Sequence, residues 1–230
     1  MKNFVYICRS GHNEELRYSI RSVLKIFPEA QIWVVGGKPD WYIGNYVEVE
    51  QDQDKYTNAL NNLRAICKST EISEFFILMN DDFFILKSFN LEESFHGGYL
   101  INKINKYVGT TRSSKYIAKL DTTYKSLAKE GIQDILDYEL HVPMAMEKNK
   151  LNEIITKYPT LLWRSMYGNV YNLKGTEIKD VKFYSNPLHN SKASQITEDS
   201  IFISTQDESF KSIHKEVFNN MLNKPSNFEI

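Results

Sequence analysis

Phe75-Phe-Ile-Leu-Met79 runs straight into Asn80-Asp81-Asp82, and Phe83-Phe-Ile-Leu86 follows without a break. A short, uninterrupted apolar run closed by a polar cluster reads as a strand buried on both faces. A solvated surface turn has no need of apolar residues on both sides of it. Two adjacent carboxylates in such a place need a partner for their charge. A divalent cation supplies one through hard oxygen ligands, and Mg²⁺ or Mn²⁺ held by one or two carboxylates takes its other ligands from phosphates and water. Asp81 and Asp82 are therefore the candidate metal ligands, with Asn80 beside them. The alternative is a strand-ending turn in which Asp81 caps a helix.

Working toward the N-terminus, residues 4–8 form another apolar run, ending in Arg9-Ser-Gly-His-Asn13. Leu16, Ile20, Val23, Leu24 and Phe27 then recur every three or four residues, which predicts a helix capped by Asn13 and ending before Pro28. Residues 31–35 read as a second buried strand closed by Gly36-Gly37, and residues 46–49 as a third. Residues 56–69 carry Leu60, Leu63, Ile66 and Cys67 at helical spacing. Strand, helix, strand, strand, helix, strand predicts an α/β fold with a mostly parallel central sheet. Ligands of such sheets bind at the carboxyl ends of the strands. Arg9, Gly36-Gly37 and Asn80-Asp81-Asp82 all fall there, so they are expected to share one site. Helical periodicity also marks residues 132–140, 145–158 and 210–222. No linker or repeat interrupts the chain, so a single domain over 1–230 is expected, with residues up to about 90 on the nucleotide side and 91–230 on the acceptor side.

Composition bounds the rest. The chain has 230 residues, 28 Lys+Arg against 29 Asp+Glu, and a net charge of −1, which argues against a dedicated nucleic-acid binder. A local basic surface remains open, and Lys103 to Lys129 is the stretch richest in lysine; a solvated helix face is its other reading. Two cysteines make no disulfide scaffold, and both are expected as buried thiols. No apolar stretch approaches the ~20 residues of a membrane span, and the N-terminus lacks the apolar region of a signal peptide, so a cytoplasmic protein is expected.

Three further segments carry chemistry. In Asn186-Pro-Leu-His189-Asn-Ser-Lys192, a neutral imidazole can complete a metal site and Lys192 can meet a phosphate. Arg9 precedes a helix N-terminus, a place suited to anions, and Arg is scarce, at 6 residues; the alternative pairs Arg9 and Arg17 with Glu14 or Glu15. Glu139 and His141 alternate with apolar residues and would share a face as an acid–base pair for an acceptor hydroxyl. Arg164 could neutralise developing phosphate charge, or pair with Glu139. Trp41, after Gly-Gly-Lys-Pro-Asp40, is a candidate stacking surface.

These residues carry a resemblance. A strand followed by Asn-Asp-Asp, then a late His before a Lys, looks like a GT-A-type glycosyltransferase. Glu15 to Ser22, Gly37 to Trp41, Phe76 to Phe83, His141-Val-Pro-Met144, Tyr158-Pro159 and Arg164 resemble the phage and bacterial group that includes the Stealth hexose-phosphate transferases. Residues 204–210 and 225–229 look like small phage-encoded glycosyltransferases. Where the Stealth group opens on an acidic turn, this chain has Arg9-Ser-Gly, which favours plain glycosyl transfer over phosphotransfer.

The resemblance implies a single GT-A-like domain using a nucleotide-diphosphate sugar, with a UDP-sugar foremost, and Mn²⁺ or Mg²⁺ held by Asp82, Asp81 and His189. It implies Arg9, Lys55, Asn58, Asn80, Asp81 and Lys192 on the donor, and Glu139, His141 and Arg164 as the catalytic residues, with Glu139 or His141 orienting or deprotonating the acceptor. The acceptor would be a hydroxyl of a polysaccharide or of a modified DNA base. A Stealth-like sugar-phosphate transferase and a non-catalytic nucleotide-sugar binder are the alternatives.

Overall fold

A computed structural model describes residues 2–110, 114–184 and 196–230. In chain order the elements are β1 (Asn3–Cys8), α1 (Glu14–Ile26), β2 (Gln31–Gly36), β3 (Asn45–Glu48), α2 (Lys55–Lys68), β4 (Phe75–Asn80), β5 (Phe83–Ile85) and β6 (Phe95–His96). There follow α3 (Leu100–Tyr107), α4 (Ser114–Lys129), β7 (Met144–Glu147), α5 (Lys148–Lys157), α6 (Trp163–Val170) and β8 (Thr176–Glu177). The chain closes with β9 (Phe202–Ser204), α7 (Asp207–Ile213), a π-helical turn at His214–Phe218 and α8 (Asn219–Met221). It divides into two compact units, one of Met1–Leu91, His141–Lys148 and Val181–Ile230, the other of Glu92–Leu140 and Asn149–Asp180.

The first unit is built on a five-stranded sheet in the order β3-β2-β1-β4-β7, parallel except for β7. Its register sets the site. Cys8 stands opposite Gly36, Ile7 opposite Asn80, and Gly36 opposite Glu48, so the carboxyl ends of four parallel strands come level. β1 and β4 lie inside the sheet, and their runs Phe4-Val-Tyr6 and Phe76-Ile-Leu-Met79 are buried, as continuous apolar runs in parallel strands must be. α1 buries Leu16, Ile20 and Val23. Asn13 caps it as expected, in the left-handed region at φ 49, with its side chain accepting from Leu16 N at 3.1 Å.

A second apolar cluster, Tyr18, Phe84, Ile203, Phe210, Ile213, Phe218 and Leu222, fastens β5, β9 and the C-terminal helices to α1. Each fully buried side chain of this size contributes roughly 1.5–3 kcal/mol. The C-terminal segment is also held by charge. Arg21 Nη2 lies 2.6 Å and Arg17 Nη1 3.3 Å from Glu229 Oε2, a carboxylate whose side chain is only 2% exposed. The Arg17 guanidinium in turn covers Trp41 at 4.5 Å from the ring centre, and Trp41 Nε1 donates to His12 O. Trp41 is thus a buried structural ring and not the stacking surface its position suggested.

The second unit holds α3, α4, α6 and the β6–β8 pair. Lys103 Nζ meets Asp137 Oδ2 at 2.8 Å, so one lysine of the basic stretch is spent internally. Residues 132–140 are not the helix that periodicity suggested. Their backbone groups go elsewhere: Ile135 O accepts from Leu100 N, Asp137 N donates to Gly98 O, and Leu136 N donates to Asn169 Oδ1. Likewise 145–158 begins as strand β7, because Phe75 to Leu78 offers it an antiparallel edge, and becomes helical at Lys148. Among the described residues no helix is long and apolar enough to cross a membrane.

Candidate functional site

Above the carboxyl ends of β1, β3 and β4 lies an open cavity of about 850 Å³. Its lining includes Cys8 and Arg9 after β1, Gln51 and Gln53 after β3, Lys55, Tyr56, Asn58 and Asn62 of α2, and Asn80, Asp81 and Asp82 after β4. Glu15, Lys182, Thr205, Asp207 and Glu208 complete it. Six expected residues, Arg9, Lys55, Asn58, Asn80, Asp81 and Asp82, are thereby brought together. The volume is within the usual range of small-molecule sites.

Asp81 is anchored by the helix cap: Asn13 Nδ2 donates to its Oδ2 at 2.7 Å. One residue thus starts α1 and orients a carboxylate of the β4 end. Burial, followed by the adjacent Asp82 charge, pushes the Asp81 carboxyl up to about 6, against the hydrogen bond from Asn13 and the Arg9 charge. Asp82 points its Oδ2 at Lys182 Nζ, 2.5 Å away, and at Ser204 Oγ, 3.1 Å away. Glu15 turns inward and accepts from Thr205 Oγ1 at 2.6 Å. Burial pushes it up to about 7; Thr205 opposes this, and the Asp82, Asp81 and Asp207 charges reinforce it.

At the rim Arg9 Nη2 meets Asp207 Oδ1 at 2.9 Å with both side chains well exposed, so the guanidinium is available for exchange. Arg17, the other arginine of this region, pairs with Glu14 instead. Asn58 and Gln53 bond reciprocally, and Gln51 Nε2 donates to Asn62 Oδ1, giving the α2 wall an amide lining. Gly36 lies beneath. At φ +123 a Cβ there would run into Cys8 O and come within 2.8 Å of Asn62 Nδ2. Burial raises the Cys8 thiol, so it stays protonated, as expected of a buried free cysteine.

The other expected residues are not among the described lining of the cavity. His189 and Lys192 are outside the described residues. Glu139 and Arg164 belong to the second unit. There Glu139 Oε1 accepts from Ser165 N at 2.9 Å and Ser165 Oγ at 3.0 Å, and Arg164 Nε donates to Tyr138 O at 3.1 Å. Burial lowers the Arg164 guanidinium to about 10, opposed by the charges of Glu139 and Asp180. His141 is in the first unit, its ring edge-on to Phe83 at 6.1 Å between centres.

The donor set suits a hard cation in part. Among the described residues no three His, Cys, Asp or Glu side chains converge as a metal cage. Two carboxylates do stand side by side at the cavity floor, and five carboxylates line the cavity against three cationic side chains. Two carboxylates with phosphate and water completing the shell is how Mg²⁺ and Mn²⁺ are commonly bound.

Sequence reasoning missed Glu15, Thr205 and Lys182. Glu15 carried a readable signal, an acidic residue in the first turn of a helix that opens over a strand end. Lys182 and Thr205 carried none, since they arrive from far along the chain.

No protein-family model matches the chain, and no curated protein matches it in sequence. Similarity appears among solved structures. The galactosyltransferase LgtC, solved in complex with donor and acceptor sugar analogs, is 8% identical, with 98% of this chain and 96% of that one covered at a TM-score of 0.53. An active-site mutant of LgtC gives 9% identity, 88% and 86% coverage and a TM-score of 0.44. The apo form of the glycosyltransferase GlyE of Streptococcus pneumoniae gives 8% identity, 88% and 54% coverage and a TM-score of 0.38. The mixed α/β fold, with its mostly parallel sheet flanked by helices, is the GT-A fold of LgtC.

Proposed function

We propose that this protein is a glycosyltransferase that takes a sugar from a nucleotide-diphosphate sugar, a UDP-sugar foremost, and passes it to a hydroxyl. The observation that carries this reading is the cavity itself. It opens where α/β sheets bind ligands, with Asp81 and Asp82 on its floor and Arg9 and Lys55 on its walls. LgtC, which shares the fold, was solved with donor and acceptor sugar analogs.

Arg9 would exchange Asp207 for a donor phosphate, and Lys55 would meet the same group as a point charge. Gln51, Gln53, Asn58 and Asn62 offer amides of both polarities to the nucleotide. Asp81 and Asp82 would hold Mn²⁺ or Mg²⁺, with His189 as the further ligand expected from sequence and Lys192 toward the diphosphate. The cation, when bound, supplies positive charge to the leaving nucleoside diphosphate. Glu15, buried beside both aspartates, fixes the first turn of α1 against Thr205 and so holds the floor in place. His141 is the proposed base for the acceptor hydroxyl. The hydrogen bonds of Glu139 and Arg164 support a positioning part within their own unit.

The test is incubation with Mn²⁺, a panel of nucleotide sugars and hydroxyl acceptors that include polysaccharide and hydroxymethylated DNA. Released nucleoside diphosphate and the product mass are measured. Glycosyl transfer adds the sugar alone to the acceptor. Phosphate retained on the product would replace this reading with sugar-phosphate transfer, and donor binding without turnover would make the chain a binder.

A further inference from the structure

Asp82 already has a cation. Lys182 Nζ sits 2.5 Å from its Oδ2, with the two side chains 13% and 14% exposed, and Ser204 Oγ donates to the same oxygen. The lysine is delivered by backbone pairing: Phe183 N donates to Ser204 O at 2.7 Å and Ser204 N to Val181 O at 3.2 Å. Its main chain is thus fixed on both sides of Cα, while the four-carbon stem keeps its own rotations. A divalent ion and this ammonium need the same carboxylate oxygen.

We propose that Lys182 is the internal counter-ion of Asp82 and competes with a divalent cation for that carboxylate, so that metal entry releases the ammonium toward the donor diphosphate. The proposal rests on the reading of Asp82 as a metal-facing residue. A half-buried carboxylate with no counter-charge destabilises the fold, and Lys182 removes that cost while no metal is bound. An ammonium is suited to the part, being a strongly hydrated point charge on a flexible stem, whereas a guanidinium fork would grip the carboxylate through two bonds. Lys182 already lines the cavity together with Arg9 and Lys55, so a released ammonium has that cavity before it. The same chain position therefore protects the empty site and adds a cation to the filled one.

Mn²⁺ binding to the nucleotide-free protein, read from the loss of the free-ion paramagnetic resonance signal, tests the competition. Removing the opposing charge in Lys182→Met is expected to tighten Mn²⁺ binding by about tenfold or more. Adding Asp82→Asn to that variant should abolish the gain. Mn²⁺ binding to Lys182→Met that equals or falls below wild type would overturn the proposal. If Lys182→Met does not fold, wild type gives the answer through amine acylation read by mass spectrometry. Mn²⁺ alone should raise labelling at Lys182, and unchanged labelling would overturn the proposal. A parallel titration with UDP separates the two readings: failure of UDP to bind defeats the donor proposal, while the Mn²⁺ comparison still decides the part played by Lys182.

Discussion

Thr205 Oγ1 donates a 2.6 Å hydrogen bond to Glu15 Oε1, joining the first turn of α1 to the residue that follows β9. This bond locks a carboxyl group into the floor of the cavity. Glu15 is pushed from about 4.5 up to about 7, mainly by burial, so near neutrality the folded protein holds a proton that the unfolded chain releases. The stability this lends is complete below the unfolded value and is lost as pH rises through the folded one. Wild type should therefore lose melting temperature between pH 5 and pH 8, and Glu15→Gln should lose less. Thermal denaturation at the two pH values checks this, and an equal loss in both proteins would count against it.

Glu229 is held by Arg21 through Nε and Nη2, by Arg17, and by Ser226 N and Oγ. Burial alone would raise its carboxyl, but the Arg21 and Ser226 hydrogen bonds outweigh that and hold it below the usual glutamate range. Glu229→Ala leaves two largely buried guanidinium groups without their shared partner and should destabilise the protein by about 3 kcal/mol. Urea denaturation at neutral pH measures it. The difference from wild type should shrink in acid, as the wild-type carboxylate protonates.

Gly36→Ala should destabilise by more than about 1 kcal/mol, since φ +123 suits only glycine and the new methyl would meet Cys8 O. The strain falls between the β1 end and Asn62, so donor affinity should drop with stability. Melting temperature and UDP titration on the same variant show whether the two losses travel together.

Glu139→Gln separates a structural from a catalytic part for that residue. Its bonds to Ser165 predict a lower melting temperature with turnover per folded molecule retained. Loss of turnover at unchanged stability would return Glu139 to the acceptor chemistry.

The local features were legible from sequence. Four of the strands in the first unit, both helices beside them and the Asn13 cap depend on residues within a turn or a run of one another, so periodicity and capping chemistry found them. Asp81 and Asp82 were legible because two carboxylates in an apolar context demand an explanation. What was hidden arrives over long separations. Lys182 reaches Asp82, and Thr205 reaches Glu15, only because β9 lies antiparallel to β5, a pairing without local signature. Residues 132–140 misled because their backbone groups bond to Gly98, Leu100 and Asn169 and not to a helix of their own.

The claim that this cavity receives a nucleotide-diphosphate donor at Asp82 is tested most directly by calorimetric titration of UDP, with Mn²⁺ present, into wild type and Asp82→Asn. Saturable binding to wild type is expected, with a loss of at least about tenfold in affinity in the variant and its fold intact by circular dichroism. Absence of binding to wild type, or equal affinity for the two proteins, would contradict it.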